Sequence, residues 1–557
     1  MVIVGISDSR DGGAALVIDG QLVAVEREAT YAQEAGTRRF PWTAVEMCLE
    51  TAGLRASDVE QIAVAGRFSP PLIARRFPSL RPLLKPDPFS PVLDAEVFVQ
   101  AVLRRTGMGA ADADRASEWF EGRFRERGYQ PQRVTMVDVH RALAAAAYRC
   151  QPDDDVIALT LHPLGDGVSF AVHQCAAGQI TRAWSQQGFS ALHVHLQRCA
   201  AAIGFEPWVD HHLLWGLSAR AEPDAELLHL LDQTLRADGP RLSPRAYPMP
   251  SHRGAPVYRA LAQAPREVAA ASVMHNLVGV VQELVTWHIR EQGVHDLVLA
   301  GEVWDNPRLV AAVAELPDVD HVYVTPFPGA VEQAVGAACS VGGVAPHRLP
   351  LQLGNQWTDG QVQGALAGLG LRSTAVGNPA IKVATALEQR KHVGVFAGQA
   401  GLGPHCLGNR SVLVRADDVE AVQSAVASLG RPRDEEYVVA LLADDPRRAE
   451  VLTDAVLAES SRFGSASVLV PESLRASAAG ALAPDGRAQL RWVSQADDPA
   501  LHAILTELKA RGGGDGIVCM PLSMSLAPPT PLPGDAGRVF LRTRLDALLI
   551  GSRWVSR

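Results

Sequence analysis

The sequence predicts a two-domain α/β protein whose first domain is internally duplicated. Three features point there. Short β-branched runs alternate with segments of helical periodicity along most of the chain. A strand–turn–strand opening stands at the N-terminus and recurs near Ile157. A proline-bearing stretch at Pro346–Gln356 then precedes a C-terminal part with an α/β pattern of its own, which divides the chain into 1–350 and 351–557. Two domains also suit a length of 557 residues, since single cores rarely grow past about 250–300 residues.

Val2–Ser7 and Ala14–Ile18 are apolar strand candidates, and Asp19-Gly20 turns the chain into a third, Gln21–Val25. Asp-Gly between apolar runs is a strong hairpin signal because both turn positions favour positive φ. Near Ile157 the theme returns: IALTL, a turn at Gly165–Gly167, VSFAVH, then AAGQ and another strand start. Such repetition fits a duplicated domain of the actin/hexokinase type. Between the repeats, Asp94–Gly128 is charged and helix-rich, an insertion that by position would carry acceptor or partner specificity. Arg266–Glu291 has helical apolar spacing and leads into a buried-strand pattern at Asp296–Glu302. His321–Gly329 reads as a strand ending in a Pro/Gly turn, followed by a small-residue helix at Ala334–Ser340.

Composition excludes several classes. A net charge of -9 disfavours a nucleic-acid or anionic-membrane surface, which needs clustered Lys and Arg. Seven cysteines without a CxxC pair fit reduced thiols rather than a disulfide frame. The N-terminus lacks a basic region followed by an apolar one, and no uninterrupted apolar run reaches the roughly 18–20 residues of a membrane span. A cytoplasmic setting is expected.

The segment VFAGQAGLGPHCLGNRSVL, Val395 to Leu413, resembles WFQGRMEFGPRALGNRSIL, the signature of the carbamoyltransferase family of nodulation-protein and cephem-antibiotic type. The resemblance continues in order along the chain: GISDSRDGGAALVIDG with GIS-x-x-HDSAAALV-x-DG, DLVLAGEVWDN with LxLAGGVALN, VTPFPGAVEQAVGAA with xQPAAGDAGTALGAA, and RVFLRTRLDALLIGS with RTFL-x-TGLDALVLG. It implies an actin-like first domain similar to the threonylcarbamoyl transferase subunit and a YrdC-like second. It also implies ATP and carbamoyl phosphate as ligands, joined as carbamoyl adenylate in the second domain and consumed at a metal in the first, in secondary metabolism. A dianion such as carbamoyl phosphate needs Arg and Lys donors, and on the resemblance Lys391, Asn409 and Arg410 supply that contact, while Gly301, Asn306 and Gly329 contact the nucleotide.

Many polar positions of the family are replaced. Gln399, Gly401 and His405 stand for Arg, Glu and Arg. The family's HxxxH sets two imidazoles on one helix face, but Val139 and Leu143 occupy those positions. Ala330 replaces a ligating Asp, and His162 another; His140 is retained from the neighbouring position. Arg10 stands for a family His, HHLLWGL at His211–Leu217 for EYKVMGL, Glu302 for a phosphate-approaching Gly, and of LNTSFN only Ser523 survives. Arg431 and Arg433, in a poorly matching stretch, read as loop arginines facing water.

Other constellations are weaker. His193 and His195 fall in a helical pattern that points them apart, and His211-His212 opens a helix. Cys406 beside His405 reads as a packed thiol. Gly512–Gly514 is followed by no Lys-Ser/Thr and is no phosphate loop. The expectation is a divergent carbamoyltransferase-family protein with no metal site, acting as a non-catalytic partner of an active paralogue, as a homo-oligomer, or as a scaffold. The alternative is an active enzyme that carbamoylates a small-molecule acceptor through a site rebuilt around Arg10, His140 and His162.

Overall fold

The computed structural model describes residues 1–77, 87–149, 151, 154–244, 251–327, 329–343, 350–401, 403, 408–451 and 466–557. The chain forms two compact units, Met1–Glu28 with Gly36–Leu349, and Pro350–Arg557 with Ala29–Ala35. A purely linear division therefore misses one segment. Ala29–Ala35 groups with the C-terminal unit, where the Asn355 carboxamide donates to the Tyr31 hydroxyl at 2.8 Å.

The first unit holds two five-stranded sheets of identical design. β1 (Val2–Ser7), β2 (Gly13–Ile18) and β3 (Gln21–Arg27) form an antiparallel meander, and β4 (Gln61–Ala65) and β5 (Arg133–Val137) add in parallel beside β1. The second sheet repeats this with β6 (Val156–Gly165), β7 (Val168–Ala176) and β8 (Gln179–Gln187) as the meander. A small hairpin of β9 (Arg236–Asp238) and β10 (Arg241–Ser243) intervenes in sequence. β11 (Asp296–Ala300) and β12 (His321–Val324) then complete the second sheet in parallel beside β6. Matching orders, β3-β2-β1-β4-β5 and β8-β7-β6-β11-β12, establish the duplication and the actin/hexokinase-type architecture. The hairpins use the residues their geometry requires: Asp19 and Gly20 have φ of 50° and 80°, and Asp166 and Gly167 of 53° and 79°.

Two helices, Val139–Arg149 and Ala330–Gly342, lie against these sheets and against each other. Their contact faces are nearly all alanine and glycine, which permits backbone-to-backbone approach. A Cβ on Gly336 would lie 1.7 Å from the Ala142 carbonyl oxygen, and one on Gly5 of β1 would lie 2.1 Å from that of Ala334. The insertion is a helix pair, Pro91–Thr106 and Met108–Arg125, broken at Gly107 with φ 75°. Arg266–Gln292 is a single 27-residue helix. By length and composition it could cross a membrane, while His275, Asn276, Gln282 and Glu283 interrupt its apolar run. Here Leu277, Val281, Leu284 and Val285 are buried in the unit.

The second unit is built on one nine-stranded mixed sheet. Its strands are β13 (Thr374–Ala375), β14 (Val393–Phe396), β15 (Arg410–Arg415), β16 (Val438–Leu442), β17 (Ala466–Leu469), β18 (Arg487–Val493), β19 (Gly516–Pro521), β20 (Ala547–Ile550) and β21 (Arg553–Ser556). Their order is β13-β21-β20-β14-β15-β19-β16-β18-β17. Apolar clusters line it, one around Val412, Leu490 and Val518 and one around Val393, Leu413 and Ile517. The signature segment contributes the end of β14 and the start of β15, which run antiparallel with Phe396 opposite Arg410.

The crossing of the two central helices predicts a contrast between two glycines. Gly336→Ala forces backbone apart and should cost about 1–3 kcal/mol, read as a lower urea midpoint. Gly279→Ala, whose Cβ would meet nothing within 4 Å on the long helix, should gain up to about 1 kcal/mol.

Candidate functional site

The C-terminal ends of β1 and β6 and the N-terminus of the Val139–Arg149 helix converge on a cavity of about 170 Å³ in the first unit. Asp166 fixes this geometry. Its buried carboxylate accepts the backbone N–H of Val139 at 2.9 Å, tying down the helix start, and those of Phe68 and Arg67 at 2.9 and 3.1 Å. Burial, with Asp138 adding to it, pushes this carboxyl up to about 6.

Asp8, which follows β1, faces the cavity, and Arg75 neutralises it. Arg75 Nε and Nη2 donate to the two carboxylate oxygens at 3.1 and 3.2 Å, both side chains are fully buried, and Nη2 also donates to the Gly66 carbonyl. Arg10 reaches in beside them. Its Nη1 donates to the Trp208 carbonyl at 2.9 Å, its guanidinium sits 5.0 Å over the Trp208 ring, and Nη2 lies 3.6 Å from Glu302 Oε2. Trp208 has φ of 66°, a strained conformation for an aromatic residue. It is held there by Arg10, by donation to Gln197 Oε1 at 2.6 Å, and by stacking on His193.

The metal positions carry the wrong chemistry. Val139 lines the cavity, Leu143 is fully buried, and Ala330 starts its helix. None has a lone pair to give. His162 lines the cavity, but its Nδ1 accepts the Leu164 N–H at 3.2 Å and its Nε2 lies 3.1 Å from the Gln333 amide. Burial holds it neutral, pushing it down to about 4. Among the described residues no group of three His, Cys, Asp or Glu is placed to hold a metal. These residues do not fit the family's ion.

The nucleotide cradle does not fit its ligand either. Gly301 is required, since φ is 109° and a Cβ would meet the Leu161 carbonyl oxygen at 1.9 Å. Yet its N–H donates to Glu332 Oε2 at 2.8 Å, and the Gly329 N–H donates to the same oxygen at 3.3 Å. Thr325 donates to the other. Glu302 fills the remaining space, with Cγ 3.0 Å from where a Gly329 Cβ would stand. The donors that would meet phosphate are thus taken by a carboxylate of the chain itself, at a position where the family pattern has glycine. Burial pushes Glu332 up to about 8, against the three donors and helped by Asp305.

Two further residues expected at the site have structural positions instead. His140 is completely buried and does not line the cavity. Its Nε2 faces the Val168 carbonyl at 2.9 Å, which can only accept, so Nε2 carries the proton, and Nδ1 lies 2.7 Å from Thr160 Oγ1, whose hydroxyl also reaches the Ala171 carbonyl at 3.1 Å. Burial pushes it down to about 3. Both ring nitrogens of this neutral imidazole face partners within the chain. Asn306, also buried, caps the helix Pro307–Ala314 by accepting the Arg308 N–H at 3.0 Å, so its oxygen is not available to a nucleotide.

In the second unit Arg410 is buried and donates to the carbonyls of Ala397, Asn409, Asn355 and Gly398, while stacking 4.0 Å from Phe396. Asn409 donates to the Gln399 carbonyl at 2.7 Å. Lys391 is exposed, just before β14. Arg431 is not a solvent-facing arginine: it is buried, paired with Glu435, and donates to Ser523 Oγ at 3.0 Å. Arg433 is exposed. His193 and His195 do lie on a helix, Leu192–Ile203. LLWGL does form a helix, Leu213–Ser218, with His212 at its N-cap. His405 and Cys406 lie outside the described residues.

The fold is a duplicated actin-type domain and a second α/β unit built on one nine-stranded mixed sheet. Models of the carbamoyltransferase N-terminus and C-terminus match residues 2–339 and 384–557. The chain belongs to the carbamoyltransferase family. Nodulation protein NolNO of Sinorhizobium fredii is 23% identical over 569 residues, covering 98% of this chain and 79% of its own length. An uncharacterised protein of Synechocystis is 23% identical over 611 residues, covering 98% of this chain and 95% of itself. Among solved structures, full-length HypF in its phosphate- and nucleotide-bound form is 11% identical with a TM-score of 0.33, covering 62% of this chain and 55% of that one.

Asp8, Arg75, Trp208, Gln333 and Glu332 were not singled out in the sequence. Only Glu332 had a signal, its replacement of a motif glycine. Two predictions follow from their environments. Arg75→Met removes the two-pronged partner of the buried Asp8 carboxylate and should cost about 3–5 kcal/mol, measured by denaturant unfolding, with Asp8→Asn restoring part of the loss. For Glu332 the folded-state pKa is raised above the unfolded value. Its contribution is complete below the ordinary carboxylate range and is lost as pH rises through about 8. Wild-type Tm should therefore fall between pH 5 and 8 more steeply than that of Glu332→Gln.

Proposed function

We propose that this chain does not bind adenylate in its first unit and works as a non-catalytic partner or scaffold for a family member that keeps its metal ligands. The observation that carries this reading is the occupation of the glycine cradle by Glu332 and Glu302. A nucleotide entering there must displace the bonded Glu332 carboxyl and meet the like charge of Glu302, at a cost of roughly 1–4 kcal/mol for a close pair. Val139, Leu143 and Ala330 add the second support. A Lewis acid stabilises charge developing in the transition state by several kcal/mol, and these side chains cannot ligate one. The fold does not need those groups, because its apolar frame is buried independently of them.

The rival reading, turnover rebuilt around Arg10, His140 and His162, has Arg10 and His162 on one cavity wall in its favour. His140 is outside it. A half-reaction in the second unit would call on Arg410, whose guanidinium is bonded to the chain's own carbonyls. Calorimetry of the intact chain with ATP and Mg²⁺, and separately with carbamoyl phosphate, tests both. We expect no heat from ATP, and Glu302→Gly combined with Glu332→Gly should reopen the cradle and give measurable binding. Co-expression with a relative carrying HxxxH should yield a stable heteromer. Metal-dependent carbamoyl transfer by the isolated wild-type chain would sink the proposal.

A further inference from the structure

We propose that the outer face of the helix Pro91–Thr106 is the interface of a homodimer, in which this helix lies antiparallel to its copy in a second chain across a two-fold axis beside Phe98 and Val99. The inference is independent of the cradle argued above and holds whether or not a nucleotide binds there.

This helix carries apolar residues on two sides. Leu93, Val97, Gln100 and Ala101 are buried against the rest of the first unit, and Leu93 with Glu96 reaches the cavity wall. On the other side Ala95, Phe98 and Val99 are exposed, and Val102 is half-buried. Their spacing of i, i+3, i+4 and i+7 sets them in one stripe, along which Phe98 is 61% exposed. A lone exposed apolar residue is ordinary. Here they gather, because Ile73, Phe77, Val92, Phe98, Val99 and Met108 make up half of the large apolar side chains left exposed among the described residues. A helix apolar on both faces is buried on both in a finished assembly, so the stripe marks a partner's place.

Charge identifies that partner. Asp94 and Arg105 are the exposed charged residues of this helix, one at each end of the stripe. Eleven positions separate them in the sequence, close to three full turns at about 3.6 residues per turn. Both therefore flank the stripe on the same side. In an isologous antiparallel pair each flank faces its own copy with the ends exchanged, so Asp94 meets the partner's Arg105 and Arg105 meets the partner's Asp94. Asp94 is held in place by Arg198 at 3.1 Å and still keeps 48% of its side chain exposed. Arg105 forms no ion pair among the described residues. A flank with both signs and no lysine disfavours an anionic membrane surface, which selects Lys and Arg. Exposed ion pairs set register more than affinity, and burial of the stripe supplies the affinity.

Sedimentation equilibrium of the intact chain at micromolar concentration tests this, and a dimer is expected. Phe98→Glu, and separately Val99→Glu, should raise the dimer Kd by at least about thirtyfold. Circular dichroism should stay that of the wild type, because both side chains are exposed. Arg105→Asp and Asp94→Arg should each weaken the dimer about tenfold. Mixing these two variants restores both opposite-charge pairs, so mixed dimers should form in preference to either variant's own. A wild-type chain that stays monomeric overturns the proposal, and so does a dimer that survives both Phe98→Glu and Val99→Glu. Mixed dimers no stronger than the variants' own sink the antiparallel arrangement. Capture of the wild type by phosphatidylglycerol vesicles, abolished by Phe98→Glu, assigns the stripe to a lipid surface instead. The wild-type measurement needs no variant to fold, and the nucleotide calorimetry is independent of every outcome here.

Discussion

Between the two sheets of the first unit, backbone touches backbone with no side chain intervening. Gly336 places its helix against the Ala142 carbonyl, and Gly5 lets β1 lie against Ala334. That close approach sets everything around the cavity. It fixes the distance from the end of β1 to the end of β6, and it puts Val139 at the start of one helix near Gln333 and Glu332 in the first turns of the other. Small residues are the means, because any Cβ at these points would meet a carbonyl oxygen at far less than van der Waals distance.

A frame so fixed can change the chemistry at its centre without changing shape. Where the family pattern has glycines, this chain has Glu302 and Glu332, and where it has metal ligands, it has Val139, Leu143 and Ala330. The new carboxylates do not stand alone: Glu332 takes three donors, Glu302 faces Arg10, and Asp8 is gripped by Arg75. Burying a charge without a partner is too costly to persist, so each acid arrived with, or found, its complement. The result is a site whose acidic groups are each met by a partner from the chain itself.

The same bookkeeping separates residues that line a cavity from residues that resemble site residues. His140, Asn306 and Arg410 occupy motif positions, yet one is locked between Thr160 and Val168, one caps a helix, and one knits a loop to its strand. A polar side chain retained in a motif has two reasons to remain, and hydrogen-bond geometry tells which applies.

Strands, hairpins and domain order were legible because they depend on neighbours in sequence. Alternating apolar runs marked β1 to β3 and β6 to β8, and Asp19-Gly20 marked a turn whose φ values only certain residues accept. Motif order gave the family and exposed the missing metal ligands, since a valine cannot coordinate wherever it lies. The pairing of charges was hidden. Arg75 finds Asp8 across 67 residues and Glu332 finds Gly301 across 31, separations over which no local pattern constrains a partner. The strain at Trp208 and the grouping of Ala29–Ala35 with the second unit were hidden likewise. The chain's own order determined the frame and the residues that stand at the family's metal positions. Tertiary packing alone decided which carboxylate meets which donor, because only the folded backbone brings distant groups within the few ångströms over which a hydrogen bond acts.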